Sequence, residues 1–316
     1  MAAANVSVVE DRWILHRASL APPYTVLASI ICLLILTANC TNLYIFKRFR
    51  NIELQHQYMI GLTMADMFTL VPNIMCITLQ IARNVWLTQR ICEVMGVITI
   101  LPFEITVGIQ IAMSVDKCIF ILHPMEYRLF ALNHTRARAI TRAVMAVAVI
   151  LPIILDVILI WSAVIEFYFD PVIATCYVRW QWISIIALSP FTVLPMIIQG
   201  VSHSLIIREL VLLKKRNGKR LIRASATIMI TVLLFYIAWF PHAVYTFWVI
   251  LPVSSPPPRM FMYWSAQLLA ANSCVSTFIY AYTIRQYKDL LTKALGIKIH
   301  VEPKSECEAK TQSEQL

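Results

Sequence analysis

The chain has 316 residues, 59% hydrophobic and only 14% charged, with 27 Lys and Arg against 17 Asp and Glu and a net charge of +10. Soluble domains carry about 25% charged residues, so a mean hydropathy of +0.71 excludes that class and describes a chain solvated mainly by lipid. The apolar residues form long blocks rather than short alternating strands, which excludes an outer-membrane barrel and points to helices.

Residues 1–20 contain no apolar core of the kind a cleavable signal peptide needs. Asn5-Val6-Ser7 is a glycosylation sequon, with Asn5 as acceptor. Seven apolar spans follow, at 23–46, 58–81, 92–121, 137–163, 180–213, 221–251 and 260–284, each near the roughly 20 residues a bilayer demands. Span one contains no charge, span two only Asp66, and span four only Asp156 after Arg142. Span six, from Ala224 to Leu251, holds no ionisable group beyond His242. The sequence therefore predicts an all-α membrane protein: an N-terminal segment 1–22 and a seven-transmembrane helix bundle over 23–284. A short amphipathic eighth helix over 285–296 and a polar tail over 297–316 complete it.

Lys and Arg in the short loops set the orientation. Lys47, Arg48 and Arg50 follow span one; Arg128, Arg136, Arg138 and Arg142 follow span three; Lys214 to Arg223 separate spans five and six. The opposite loops hold only Arg83, Arg90, Arg179 and Arg259. The basic side belongs in the cytoplasm, placing the N-terminus outside. Positive-inside bias and attraction to anionic lipid account for the net charge, so no nucleic-acid partner is implied. The sequons at Asn39 and Asn133 then fall in a span and a cytoplasmic loop, where they stay unmodified. Cys92, at the outer start of span three, and Cys176, in the outer loop before span five, are the only pair placed in an oxidising setting. They are read as a bridge, against the alternative of two unrelated thiols. Cys307 offers a lone tail thiol for palmitoylation.

The motifs along these spans resemble those of rhodopsin-like (class A) G-protein-coupled receptors. "TANCTNLYIF" is similar to the span-one signature, with Asn39 as its asparagine, and "GLTMADMF" to the span-two motif, with Asp66 as its buried carboxylate. Cys92 and Asp116 are separated as the bridging cysteine and the acid ending span three are in that family. "VDKCIFILHPMEY" resembles Asp-Arg-Tyr with its downstream Pro124 and Tyr127, and "FYIAWFPH" the span-six switch, with Phe235, Trp239 and Pro241. Pro195 takes the span-five position. "ANSCVSTFIYAYTIRQYKDLL" resembles Asn-Pro-x-x-Tyr and the eighth helix, with Tyr280 as the switch tyrosine. Its end, "FIYAYTIRQYKDLL", is close to the wording of adenosine-like receptors, a likeness the pocket positions do not extend. The departures fall on the activation machinery: Lys117 for arginine, Cys118 for tyrosine, Ser276-Thr277 for Asn-Pro, and His203 for the span-five tyrosine.

The resemblance implies a plasma-membrane receptor that takes a small-molecule ligand and engages a heterotrimeric G protein. It gathers Asn39, Thr106, Asn272, Ser273 and Trp239 around Asp66, oxygen-rich surroundings that suit a sodium ion; the alternative is a neutral Asp66 hydrogen-bonded to Asn272 and Ser273. Asp116 and Lys117 stand where a resting pair sits and where the G protein docks. A lysine lacks the planar fork of arginine, so the expectation is a loosely locked receptor or one with weakened coupling. Ligand contacts expected by the same facing logic are Thr99, Ile100, Phe103, Glu104, Phe191, Trp239, His242, Thr246, Met262 and Ala266, a mostly apolar and aromatic set suited to a weakly charged organic molecule. Glu104 is expected to face spans five and six, as a structural partner of His242 or a span-five hydroxyl, or as a cation anchor. Thr99 stands where amine receptors place an aspartate, and span seven has no lysine for retinal near Ala270.

No two of the seven histidines pair at ligand spacing on one helix, so no enzyme is predicted, and neither internal repeats nor broken helices indicate a transporter. A hormone- or transmitter-type receptor, a chemosensory (odorant-type) receptor, and a receptor-like protein acting by homo- or heterodimerisation all remain open from the sequence.

Overall fold

The structure is a computed structural model, and it describes residues 6–9, 12–15, 22–49, 54–81, 85–162, 166–170, 175–179, 182–217, 233–245, 247–248 and 259–296. In chain order the helices are α1 (Pro22–Phe46), α2 (Leu54–Phe68), α3 (Leu70–Ile81), α4 (Gln89–Leu122), α5 (Pro124–Leu132), α6 (His134–Trp161), α7 (Trp182–Asn217), α8 (Leu233–Tyr245), α9 (Arg259–Thr283) and α10 (Arg285–Ala294). Among the described residues four stretches are long and apolar enough to cross a membrane: Thr25–Phe46, His56–Leu79, Arg90–Leu122 and His134–Ile160. At 25 residues, α9 is also long enough, at roughly 1.5 Å per residue, for a core of about 30 Å. Its apolar character is diluted by Ser265, Gln267, Ser273 and Ser276, all of which face inward.

The long α4 is the hub, packing against α2, α6 and α7, while α1 closes the bundle against α2, α3 and α9. Span two is not one uninterrupted helix. Pro72 has no N–H to offer the carbonyl one turn back, and the helix breaks at Thr69. The Thr69 hydroxyl donates to the Asp66 carbonyl at 2.6 Å, and Asn73 Nδ2 to the Thr69 carbonyl at 2.8 Å. The break is thus sealed by local side chains immediately beside the acid of that span.

Beside the helical bundle, five short strands lie in the N-terminal segment and in the connections between spans. β1 (Val6–Val9), β2 (Arg12–Leu15) and β3 (Val85–Thr88) form an antiparallel sheet, with Ser7 opposite Ile14 and Trp13 opposite Leu87. β4 (Glu166–Asp170) and β5 (Thr175–Arg179) form a hairpin with Phe169 opposite Cys176. Each is four or five residues rich in β-branched and aromatic types, which fit a pleated surface but are too short to register against the apolar blocks.

Cys92 and Cys176 form a disulfide with Cα atoms 5.4 Å apart. Its sequence separation of 84 corresponds to about 4–5 kcal/mol in the chain-entropy account of cross-linking. Phe167 and Phe169 bury themselves beside it with Leu79 and Met95. Gly96 makes this possible: a Cβ there would fall inside the Phe167 ring, so only glycine lets the hairpin rest on α4.

At the other end, α10 is tied to α1. Tyr287 is fully buried and donates to Asn42 Oδ1 at 2.6 Å, and its ring meets Phe46 and Tyr280 edge-on. Burial holds its phenol well above the usual tyrosine range, so it stays a donor. Gly296, with φ 69, ends the helix in the left-handed conformation that glycine adopts without strain.

Candidate functional site

An α-helix turns about 100° per residue, so neighbours on α4 look into different surroundings. Thr106, Gln110, Ser114 and Lys117 recur three or four positions apart and share one face. Gln110, Ser114 and Lys117, with Asp66 of α2, Gln199 and His203 of α7, Phe235 of α8, and Asn272, Ser276 and Tyr280 of α9, enclose a cavity of about 90 Å3. The Ser273 and Thr106 hydroxyls flank the Asp66 carboxylate. Asn39 donates to the carbonyls of Ile35 at 2.9 Å and Ser273 at 3.1 Å, fixing α1 to α9 at this level. Asp66 Oδ1, Asn39 Oδ1, Thr106 Oγ1, Gln110 Oε1, Ser276 Oγ and the Tyr280 hydroxyl are buried with no hydrogen-bond partner among the described residues. Such groups each cost about 1–3 kcal/mol unless something answers them. The space holds about three waters at roughly 30 Å3 each.

Asp116 belongs to the adjacent face. The Tyr127 hydroxyl, on α5, donates to its two carboxylate oxygens at 3.2 and 3.1 Å. Lys117 points into the cavity instead, and His123–Glu126, at 3.8 Å, is the only ion pair among the described residues. Asp116 and Lys117 form no direct ion pair; the carboxylate takes the Tyr127 hydroxyl, and Lys117 acts on it only as a nearby charge.

A family model described as 7 transmembrane receptor (rhodopsin family) matches residues 25–280, about four-fifths of the chain. The chain belongs to that family. The receptor is accordingly a multi-pass, plasma-membrane signalling protein rather than an enzyme, and its partners are a ligand and a G protein.

In the receptor, Phe235 and Trp239 stack at 5.7 Å and 26°, and Trp239 meets the His242 ring edge-on at 6.4 Å. Phe103, Val107, Ala238 and Leu269 pack around this ladder. Pro241 lies inside α8, where its missing N–H frees the Ile237 carbonyl one turn back. The other expected ligand positions do not all converge on it. Thr99 donates to the Met95 carbonyl of its own helix at 2.8 Å, and Ile100 packs under the cystine and Phe167. Ala266 is half-buried on α9. Thr246, Asn5 and the side chains of Phe191 and Met262 lie outside the described residues.

Glu104 departs from its expected facing. One residue beyond Phe103, it turns away from the aromatic ladder and joins Pro152 and Leu155 of α6 and Leu194 and Pro195 of α7, so it meets spans four and five. Its Oε2 accepts no hydrogen bond from any described residue. Thr277 is likewise informative: α9 runs unbroken through Ser276-Thr277, and the Thr277 hydroxyl donates to the Ala38 carbonyl of α1 at 3.2 Å. The residue replacing proline thus also pins the seventh span to the first.

Proposed function

We propose that the receptor detects a small, weakly charged organic ligand seated on Trp239 and His242, and that binding drives the far end of α8 outward to engage a G protein. The observation that carries this reading is the continuous ring contact His242–Trp239–Phe235, whose last member also lines the polar cavity. A ligand that displaces Trp239 must displace Phe235, and with it the packing that α8 shares with α4 and α9. Pro241 supplies the hinge.

Sodium fits the inner half of the same system. Asp66, Asn39 and Thr106 each present an oxygen without a partner among the described residues, which is the donor set an oxygen-seeking cation requires. When bound, the ion would neutralise the Asp66 carboxylate and hold α1, α2, α4 and α9 together. A cystine belongs in an oxidising setting, and Cys92–Cys176 at one end of the bundle supports the reading of an extracellular N-terminus. In α10 the fully buried Tyr287 is backed by the exposed Lys288 and Lys293, in keeping with a helix lying at a lipid surface.

A second reading, a receptor-like protein with weakened coupling that acts by dimerisation, draws on Lys117 turned into the cavity and α9 pinned to α1. The likeness of residues 278–291 to adenosine-like receptors brings no ligand assignment with it, and chemosensory use is one of the outcomes of a ligand screen.

The test is a cell assay reading several G proteins, first without ligand and then against small-molecule libraries. A hit should lose at least tenfold potency in Trp239→Ala, and its affinity should fall in sodium relative to choline for the native chain but not for Asp66→Asn. Silence in every channel at normal surface expression would favour the second reading. A sodium effect that persists in Asp66→Asn would remove the ion from the account.

A further inference from the structure

The side of α4 opposite the polar cavity carries a feature that the proposed function does not use. Glu104, Gly108, Ile111, Val115 and Ile119 follow one another at three- and four-residue steps and line a groove of about 810 Å3 between α4, α6 and α7. From Glu104 to Ile119 the groove runs roughly 22 Å at 1.5 Å per residue. Its walls include Val147, Leu151 and Leu194, which are 59%, 49% and 50% exposed at the flank of the bundle, so it opens to the hydrocarbon. The Asp116–Tyr127 contact lies at one end. At the other is Glu104, nine-tenths buried, with Oε2 unpartnered among the described residues and lining the groove. Beside it on α6 stands Asp156, 4% exposed, with Oδ2 also unpartnered and close enough for its charge to act on Glu104.

A second cleft of similar size, about 660 Å3 between α2, α4 and α6, is the internal comparison. Met64, Phe68, Leu101, Ile105, Met145 and Ile153 are typical of its lining, which contains no charged or hydrogen-bonding side chain. That is what a surface meeting only lipid tails needs. A buried carboxyl lining the head of the first groove, with a second one, Asp156, buried behind it on α6, is not explained by tails, because an acyl chain offers them nothing. An ionisable group in hydrocarbon is costly unless an opposite charge or a hydrogen-bond donor meets it, and no Lys, Arg or His of the described residues ion-pairs with either acid.

We propose that the groove between α4, α6 and α7 is a second ligand site, on the lipid flank of the bundle and separate from the Trp239–His242 site, and that its ligand is an amphiphilic amine. The ammonium sits on Glu104, with Asp156 behind it on α6, and the apolar body lies along Gly108, Ile111 and Val147 toward the Asp116–Tyr127 end. The ammonium is neutralised by one of the two carboxylates while the other keeps its proton and offers a carbonyl oxygen, so no uncompensated charge is left in the hydrocarbon. The volume lies within the range of about 300–1,000 Å3 typical of small-molecule sites. Gly108 lets α4 and α6 close up to form the groove wall: a Cβ there would already stand 3.1 Å from the Ala148 Cβ.

The experiment uses the full chain in phosphatidylcholine nanodiscs and a hexadecylamine carrying a diazirine on its chain, with the cross-linked peptides read by mass spectrometry. Saturable labelling of α4, α6 and α7 is expected, competed at least tenfold better by hexadecylamine than by hexadecanol. Glu104→Gln should abolish that preference for the amine. Labelling of the α2–α4–α6 cleft should show no preference in either protein. Val147→Trp, which fills the groove from its lipid side without touching either acid, should block labelling, and it decides the matter if Glu104→Gln does not reach the membrane. Equal competition by amine and alcohol, indifference to Glu104→Gln, or undiminished labelling in Val147→Trp would show a groove that holds lipid tails only and overturn the proposal.

Discussion

Along α4, two faces of one backbone are built in opposite ways. The inner face sets Gln110, Ser114 and Lys117 around a cavity of about 90 Å3 crowded with polar atoms. The outer face sets Gly108, Ile111 and Val115 along a groove nine times larger and almost wholly apolar. Each nevertheless carries ionisable groups near its ends: Asp66 and Lys117 inside, Glu104 and Asp116 outside. The difference lies in what can answer them. Inside, several helices converge around a space of about 90 Å3, room for small polar guests; outside, only the membrane or a molecule dissolved in it can approach. Adjacent residues 116 and 117 are divided between the two environments by a rotation of about 100°, so a motif that reads as one unit in the sequence acts as two in the fold.

The comparison is open to mutation, and the largest effect is expected on packing. Gly108→Ile places a branched side chain against Ala148, whose carbonyl oxygen stands 3.3 Å from the position of a Cβ. The α4–α6 contact should lose about 1–3 kcal/mol, in line with overpacked cores, read as a lower melting temperature of the purified receptor. Gln110→Leu, two residues on but facing the cavity, removes an amide oxygen that no described residue answers and should leave the melting temperature unchanged or higher. Equal losses in the two variants would mean that the faces do not differ in the way described.

A middle-sized effect is expected at the 116–117 divide. Tyr127→Phe removes the hydroxyl donated to Asp116; hydrogen bonds to charged groups contribute about 1.5–3 kcal/mol. Ligand-independent signalling should rise by up to tenfold, about 1.4 kcal/mol, whereas Lys117→Arg, acting from the inner face, should change stimulated output more than basal output. Basal signalling that is untouched by Tyr127→Phe would show that the outer contact locks nothing.

The smallest effect is expected where α10 meets α1. Tyr287→Phe keeps the ring packing on Phe46 and loses one hydrogen bond to Asn42, about 1 kcal/mol, seen as a slight drop in melting temperature with signalling intact. A large loss of signalling would instead make this contact part of the switch.

Much of this architecture was legible in residue order alone. Blocks of some twenty apolar residues specify membrane helices because a bilayer core leaves no other way to satisfy the backbone. Cys92 and Cys176 were legible as a pair because they occupy segments of the same side. The facing of Gln110 and Lys117 could also have been read, since three- and four-residue steps from Thr106 reach both. Other features were not accessible. Tyr127 meets Asp116 across the junction between α4 and α5, and no periodicity carries through a helix break. Asp156 and Glu104 are neighbours only because Gly108 and Ala148 let their helices close up. The strands are too short and too apolar to stand out from the spans around them.

By itself, then, the sequence determined the solvent, the number of spans and the family, because these follow from hydropathy and from motifs local to one helix. The tertiary structure decided which side of α4 each acid serves, since that depends on the angle at which neighbouring helices pack. It is this angle that turns Lys117 inward, Asp116 toward Tyr127, and Glu104 toward a groove rather than toward the aromatic ladder.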